Sequence, residues 1–262
     1  ADIHKKDDGT YSSDIISMTG TLFLFVFWPS FNAALHTGPA AMRCVINTYL
    51  SISTSVIASI IVSKLTHKGQ LEMELILNAS LAGGVAMGCN ALIITRPFGA
   101  MLCGAVCGVV ASLGYVFLSP ALRRSRLKLH DTCGVLNLHG MPCIIGGITS
   151  AIAAHFGEER FGQNFLEVHN AYSGTDLIPR TGSLQAGYQL AAIVLSIVLG
   201  LAGGSIAGLF CKLSIFEPPT EDQLFQDTAH WYDCNIESEA IDFMAQSLRV
   251  MQEQSKHIHH SQ

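Results

Sequence analysis

Charged residues are scarce in this 262-residue chain, 13% against the roughly 25% of an ordinary soluble domain, while hydrophobic residues make up 49% and the mean hydropathy is +0.38. That deficit argues against a soluble enzyme. A basic surface is lacking too. Lys and Arg number 15 against 20 Asp and Glu, a formal net charge of −5, which gives no support for nucleic-acid binding or for a polybasic lipid-binding face. Nor is there a disulfide framework, because Cys44, Cys89, Cys103, Cys107, Cys133, Cys143, Cys211 and Cys234 fall mostly inside apolar runs rather than in short polar loops. Cys103 and Cys107 lie four apart among small apolar residues and read as helix packing rather than as a metal or redox pair. The first dozen residues are polar, without the apolar stretch of a signal peptide, and Ala1 stands where an initiator Met would, so processing or truncation is to be considered.

What the chain has instead is long apolar runs. Six are long enough to cross hydrocarbon, at about 14–35, 42–64, 74–95, 98–118, 130–154 and 186–211. The fifth is the weakest, being interrupted by His130, Asp131, Asn137 and His139. An all-α polytopic transmembrane helix bundle is therefore expected. Its parts are a stub at 1–13, a transmembrane domain at 14–211 with an external loop at 155–185, and a polar tail at 212–262. With the N-terminus cytoplasmic, the inside segments hold Lys5, Lys6, Lys64, Lys68, Arg123, Arg124, Arg126, Lys128 and Lys212, and the outside ones only Arg43, Arg96, Arg160 and Arg180. The positive-inside bias selects that orientation. Pro218 and Pro219 are expected to stop the last helix, and Ile236, Ala240, Phe243, Met244, Leu248 and Met251 are spaced for a short amphipathic helix in the tail. The closing Lys256-His257-Ile258-His259-His260 reads as a His-rich end rather than a metal site, and neither metal nor cofactor is expected.

Small residues crowd the third to sixth spans, at Gly83, Gly84, Gly104, Gly108, Gly146, Gly147, Gly203 and Gly204 among others. Lipid offers no hydrophobic drive for helix association, so close backbone contact replaces it. These glycines indicate a bundle, not a function. The side chains that could carry one are polar groups held at membrane depth, which are costly there. His139 is the sharpest, about ten residues into the fifth span, with Gly140 and Pro142 after it to loosen the helix. From the residues alone a pore-lining and a satisfied structural histidine both stay open. Asp131 suits a helix-capping role at the start of that span. Trp28, in Phe27-Trp28-Pro29-Ser30-Phe31-Asn32, suits an interfacial anchor. An intramembrane acid/base pair of Asp131 and His139 is disfavoured, because eight helical residues separate them by about 12 Å.

Several motifs in order resemble the Rh glycoproteins of the ammonium transporter superfamily, from about Ser13 to Trp231. They are Trp28-Pro29-Ser30-Phe31-Asn32, Ile46-Asn47-Thr48-Tyr49, the run Asn78 to Ala86, and above all His130-Asp131-Thr132-Cys133-Gly134 followed by Asn137-Leu138-His139-Gly140-Met141-Pro142. The resemblance implies two inverted halves, of which this chain supplies the C-terminal one, with about six of the family's roughly eleven or twelve spans. It implies a homotrimer in the plasma membrane, embedded in lipid, each protomer passing ammonia or ammonium through an apolar, histidine-lined pore. Some relatives are thought to pass methylammonium or carbon dioxide as well. It makes His139 the second of two facing pore histidines, the first belonging to the absent half. Phe31 becomes a gate phenylalanine, Trp28 its companion at a recruitment site, and Asp131, Asn137 and Gly140 structural neighbours of the pore.

Elementary energetics suit those roles. A bare ammonium ion in a low-dielectric conduit costs on the order of tens of kcal/mol, a neutral amine only its hydrogen bonds. Aromatic faces at an entrance attract the cation by roughly 0.5 to 2 kcal/mol. Two positions depart from the family pattern. Leu136 stands where His or Asn is usual, which dries a vestibule, and Cys143 replaces a usual glycine, which crowds a helix contact. The alternative to conduction is a non-conducting structural subunit that assembles with other Rh proteins or the cytoskeleton.

Overall fold

The computed structural model describes residues 9–126, 129–161, 181–220 and 223–225, and these hold helices and turns with no strand. The chain divides into two units, essentially residues 8–208 and 209–262. In the first, helix α1 (Tyr11–Ala33) starts on a capping box in which Thr10 and Ser13 exchange side-chain-to-backbone bonds of 3.2 and 2.9 Å. Pro29 withdraws the backbone donor that the Phe25 carbonyl would take, and the next carbonyl, Val26, receives the Tyr49 hydroxyl of α2 at 2.9 Å.

Helix α2 (Gly38–Thr66) has 29 residues, about 43 Å at 1.5 Å per residue, which exceeds the ~30 Å hydrocarbon thickness. Its buried stripe runs Cys44, Asn47/Thr48, Ser51/Ile52, Ser55, Ala58/Ser59 and Val62/Ser63. That is a helical face made largely of small hydroxylated side chains. It packs along α5 (Pro97–Leu113), where Gly104 lies against the Ser51 carbonyl and a Cβ at Gly108 would stand 2.7 Å from the Ser55 carbonyl. Only glycine allows two backbones so near, and contact of that kind substitutes for hydrophobic drive inside a membrane.

Among the described residues, five helical stretches are long and apolar enough to span, namely 11–33, 38–66, 97–124, 136–156 and 182–211. The segment at 74–95 is broken. It forms α3 (Met73–Ala79) and α4 (Ala82–Met87), then turns. Breaks inside hydrocarbon persist only where the freed backbone groups find partners, and α2 supplies them. The Ser55 hydroxyl donates to the Ala79 carbonyl at 2.7 Å and accepts the Gly83 N–H at 3.2 Å, while Ser51 donates to the Gly83 carbonyl at 2.9 Å. Asn47, 3% exposed, donates to the Ala91 and Ile94 carbonyls at 2.8 and 2.6 Å, satisfying the turns that follow.

After α5 the rod continues through a π-turn (Gly114–Leu118) into α6 (Ser119–Arg124), whose last-turn arginines complement the helix dipole. A second π-turn (Leu136–Gly140) opens α7 (Met141–Phe161). Helix α7 runs on to Phe161, while its apolar spanning part ends at 156, close to the expected 154. Helix α8 (Gly182–Cys211) buries none of its most apolar stretch and α1 only 6%, against 44% for α2.

In the second unit the chain leaves α8 through a 3₁₀ turn at Ser214–Phe216, where the Phe210 and Phe216 rings meet at 5.0 Å, and Glu217 takes a left-handed conformation before the two prolines. The helix therefore ends at Cys211, ahead of Pro218 and Pro219. The expected tail helix around 236–251 and the closing histidines lie outside the described residues, as does most of the 155–185 loop.

Candidate functional site

His139 lies in the second π-turn, the fourth residue of the span at 136–156 rather than about the tenth, and is exposed. The Trp28 indole of α1 stacks on its ring, with centroids 6.3 Å apart and planes 20° from parallel. A Cβ at Gly84 of α4 would stand 3.0 Å from Trp28 Nε1, so glycine there lets the ring settle on the α4 backbone. Asn32, one turn beyond Trp28, donates to the Gly84 carbonyl at 3.1 Å and to Thr48 Oγ1 of α2 at 3.3 Å, pinning α1 to both neighbours. Phe31 shares the Trp28 side of α1 three residues on, and its ring is 78% exposed. The stacked pair is thus His139 and Trp28, with Phe31 exposed further along α1.

Below His139 the chain is tied down. Both Asp131 carboxylate oxygens are used as a cap, accepting the Val135 and Leu136 N–H groups at 2.9 and 2.8 Å. Gly134 adopts φ +65°, and Tyr115, whose hydroxyl donates to the Gly134 carbonyl at 3.1 Å, occupies the space a Cβ would need. Asn137, fully buried, donates to Ser119 Oγ at 2.6 Å. At Gly140 a Cβ would stand 2.9 Å from Leu136 Cδ1, so the leucine at the first departure folds over the glycine. Cys143, expected to crowd a helix contact, is instead exposed one turn beyond His139. Among the described residues no three His, Cys, Asp or Glu side chains are arranged to hold a metal ion.

A cavity of about 310 Å³ opens between α1 and α3, lined by Asp14, Thr21, Leu24, Glu74, Leu77 and Leu138 among others. Leu138 adjoins His139 in sequence, so this cavity reaches the same turn. Sequence reasoning missed the cavity because its wall joins two separate spans. It also missed Asn32 and Tyr115 as anchors. The π-turns had a visible signal, a glycine six residues ahead of a proline in Gly114/Pro120, and Pro142 six residues after Leu136.

Apolar helices of spanning length and a broken span satisfied from within define a multi-pass integral membrane protein. Its relatives narrow the class. The family model for the Ammonium Transporter Family matches residues 1–230, and the chain belongs to that family. It is 43% identical over 229 residues to the ammonium transporter Rh type C of Xenopus tropicalis, covering 86% of this chain and 49% of that protein. It is 45% identical over 224 residues to the Oncorhynchus mykiss protein of the same name, covering 84% of this chain and 45% of that one. The chain spans about half the length of the curated relatives it matches. Among solved structures, Nitrosomonas europaea Rh50, of the Rhesus protein family of channels, aligns with a TM-score of 0.67 at 30% identity, covering 94% of this chain and 57% of that one.

Proposed function

We propose that the complete polypeptide conducts ammonia or ammonium across the bilayer, through an apolar conduit in each protomer whose wall includes His139. The observation that carries this reading is the His139–Trp28 stack, an exposed imidazole on an indole among apolar spanning helices. A neutral imidazole there offers one donor and one acceptor to a small amine, and the apolar surround excludes the ion. Phe31 gates the outer side with Trp28 beside it, the face of an aromatic ring drawing the cation before its proton is left behind. Asp131 and Gly140 hold the turn. The cavity at Asp14 and Glu74 is the cytoplasmic mouth, on the orientation chosen by the basic loops.

The exposed faces of α1 and α8 support the further reading that they meet the family's other half, neighbouring protomers of a homotrimer, or lipid. Plasma-membrane residence and passage of methylammonium or carbon dioxide belong to the same proposal. The test is uptake of labelled methylammonium by proteoliposomes of the complete polypeptide, with and without His139→Ala. A large loss of uptake in the variant is expected. Uptake unchanged by the substitution removes His139 from the conduit, and no uptake by the unsubstituted protein favours the structural-subunit alternative.

A further inference from the structure

Two π-turns interrupt the rods of this bundle, and they are built alike. Each ends two residues before a proline, Leu118 before Pro120 and Gly140 before Pro142. In each, the N–H of the residue preceding the proline reaches back five residues, Ser119 to the Gly114 carbonyl and Met141 to the Leu136 carbonyl. A helical proline withdraws a donor and drives its ring toward the carbonyl four residues back, and one extra residue in the turn relieves both.

The two turns also meet. Asn137, in the second, donates to Ser119 Oγ, directly after the first, at 2.6 Å. Its Oδ1 lies over Gly114, the first residue of the first turn, where a Cβ would stand 2.5 Å from it, and the Met141 methyl closes over the same glycine. This carboxamide has no exposed surface.

We propose that Asn137, seated on Gly114 and bonded to Ser119, is a positioning residue that clamps the two π-turns together and so sets the direction in which His139 faces. The proposal rests on the reading of His139 as a conduit residue. The clamp acts through geometry. A π-turn holds one residue more than the α-helical register, so its collapse shifts whatever follows by about one residue, roughly 100° around the axis. His139 lies within the turn, and such a shift carries its ring off Trp28. A buried carboxamide is costly at membrane depth, and fixing a register is the best-attested use of such a group.

The test uses the complete polypeptide in liposomes, with initial rates of ammonia and methylamine flux normalised to incorporated protein. Asn137→Leu is expected to lower ammonia flux about tenfold and Ser119→Ala about threefold, the range that pairs in one network reach. A displaced imidazole narrows the bore, which the bulkier methylamine feels more, so the ratio of the two fluxes shifts as well. In the His139→Ala background neither substitution causes a further loss.

Equal proportional losses for both amines with the ratio unchanged, or losses that multiply with that of His139→Ala, overturn the clamp. So does unaltered flux. Should Asn137→Leu not accumulate, Ser119→Ala, which removes one half-buried hydroxyl, completes the same cycle. Flux that is sensitive to His139→Ala but indifferent to both clamp variants leaves the conduit reading standing and removes the clamp alone, whereas flux indifferent to His139→Ala removes both.

Discussion

Ser55→Ala removes one oxygen from the middle of α2 and almost no volume. The consequence falls on the broken span, because that oxygen donates to the Ala79 carbonyl at 2.7 Å and accepts the Gly83 N–H at 3.2 Å. Each buried backbone group left unpaired costs about 1–3 kcal/mol in a water-soluble protein. Within membranes the measured worth of an interhelical hydrogen bond averages about 0.6 kcal/mol and reaches about 1.7, since the unfolded reference also finds partners. Two bonds lost together in a site with no room for water place the cost at about 1–3 kcal/mol. Ser59→Ala is the control. Its hydroxyl bonds the Val56 carbonyl of its own helix and the Ser80 hydroxyl, so no backbone group of the break depends on it, and less than about 1 kcal/mol is expected. SDS titration of the complete polypeptide in mixed micelles, followed by far-ultraviolet circular dichroism, measures both. A Ser55→Ala midpoint equal to that of Ser59→Ala, or to the unsubstituted protein, refutes the account of how α3 and α4 survive their separation.

The Gly104→Ala methyl would collide with the Ser51 backbone, and the α2–α5 contact cannot part without straining the bond from Thr54 Oγ1 to the Met101 carbonyl at 2.8 Å; a loss of about 1–3 kcal/mol is expected in the same titration. Asp131→Ala frees the Val135 and Leu136 N–H groups, and a loss of about 0.5–2 kcal/mol is expected, read as faster hydrogen exchange at those two amides. Unchanged exchange there means that Asp131 does not cap the turn.

The spans that hydropathy found are those whose hydrogen bonds lie within one helix. The helices at 11–33, 38–66 and 97–124 follow from apolar stretches of sufficient length, whose backbone bonds lie chiefly within each helix. The 74–95 stretch is as apolar as its neighbours, yet its continuity was misjudged, because its backbone bonds run to Ser55, Ser51 and Asn47 of α2. A hydropathy count records what each residue prefers to dissolve in, not where its carbonyl finds a donor. The same holds at the site. His139 was legible as a polar group at depth, but the stack with Trp28 depends on Gly84 beneath the indole and on Asn32 beside it, contributed by different helices. Charge marks where an apolar span ends, at 156 against the expected 154, but not where the helix ends, since α7 carries on to Phe161.

The irregular backbone is not scattered through the bundle but gathers around the histidine. The α3–α4 break sets Gly84 at the start of α4, under Trp28, and the second π-turn contains His139 itself. Regular helices would fill that space, since an unbroken α-helix presents a side chain at nearly every position toward its neighbours. Breaking one span and widening a turn of another leaves surface lined by backbone and small residues, and such surface is stable at membrane depth only when hydroxyls and carboxamides from the next helix close it. Ser51, Ser55, Asn47 and Asn32 supply that closure in this chain. The polar residues buried in α2 are therefore the cost of keeping the aromatic face open. An apolar replacement at any of them that left the neighbouring turns unmoved would break the link between closure and opening.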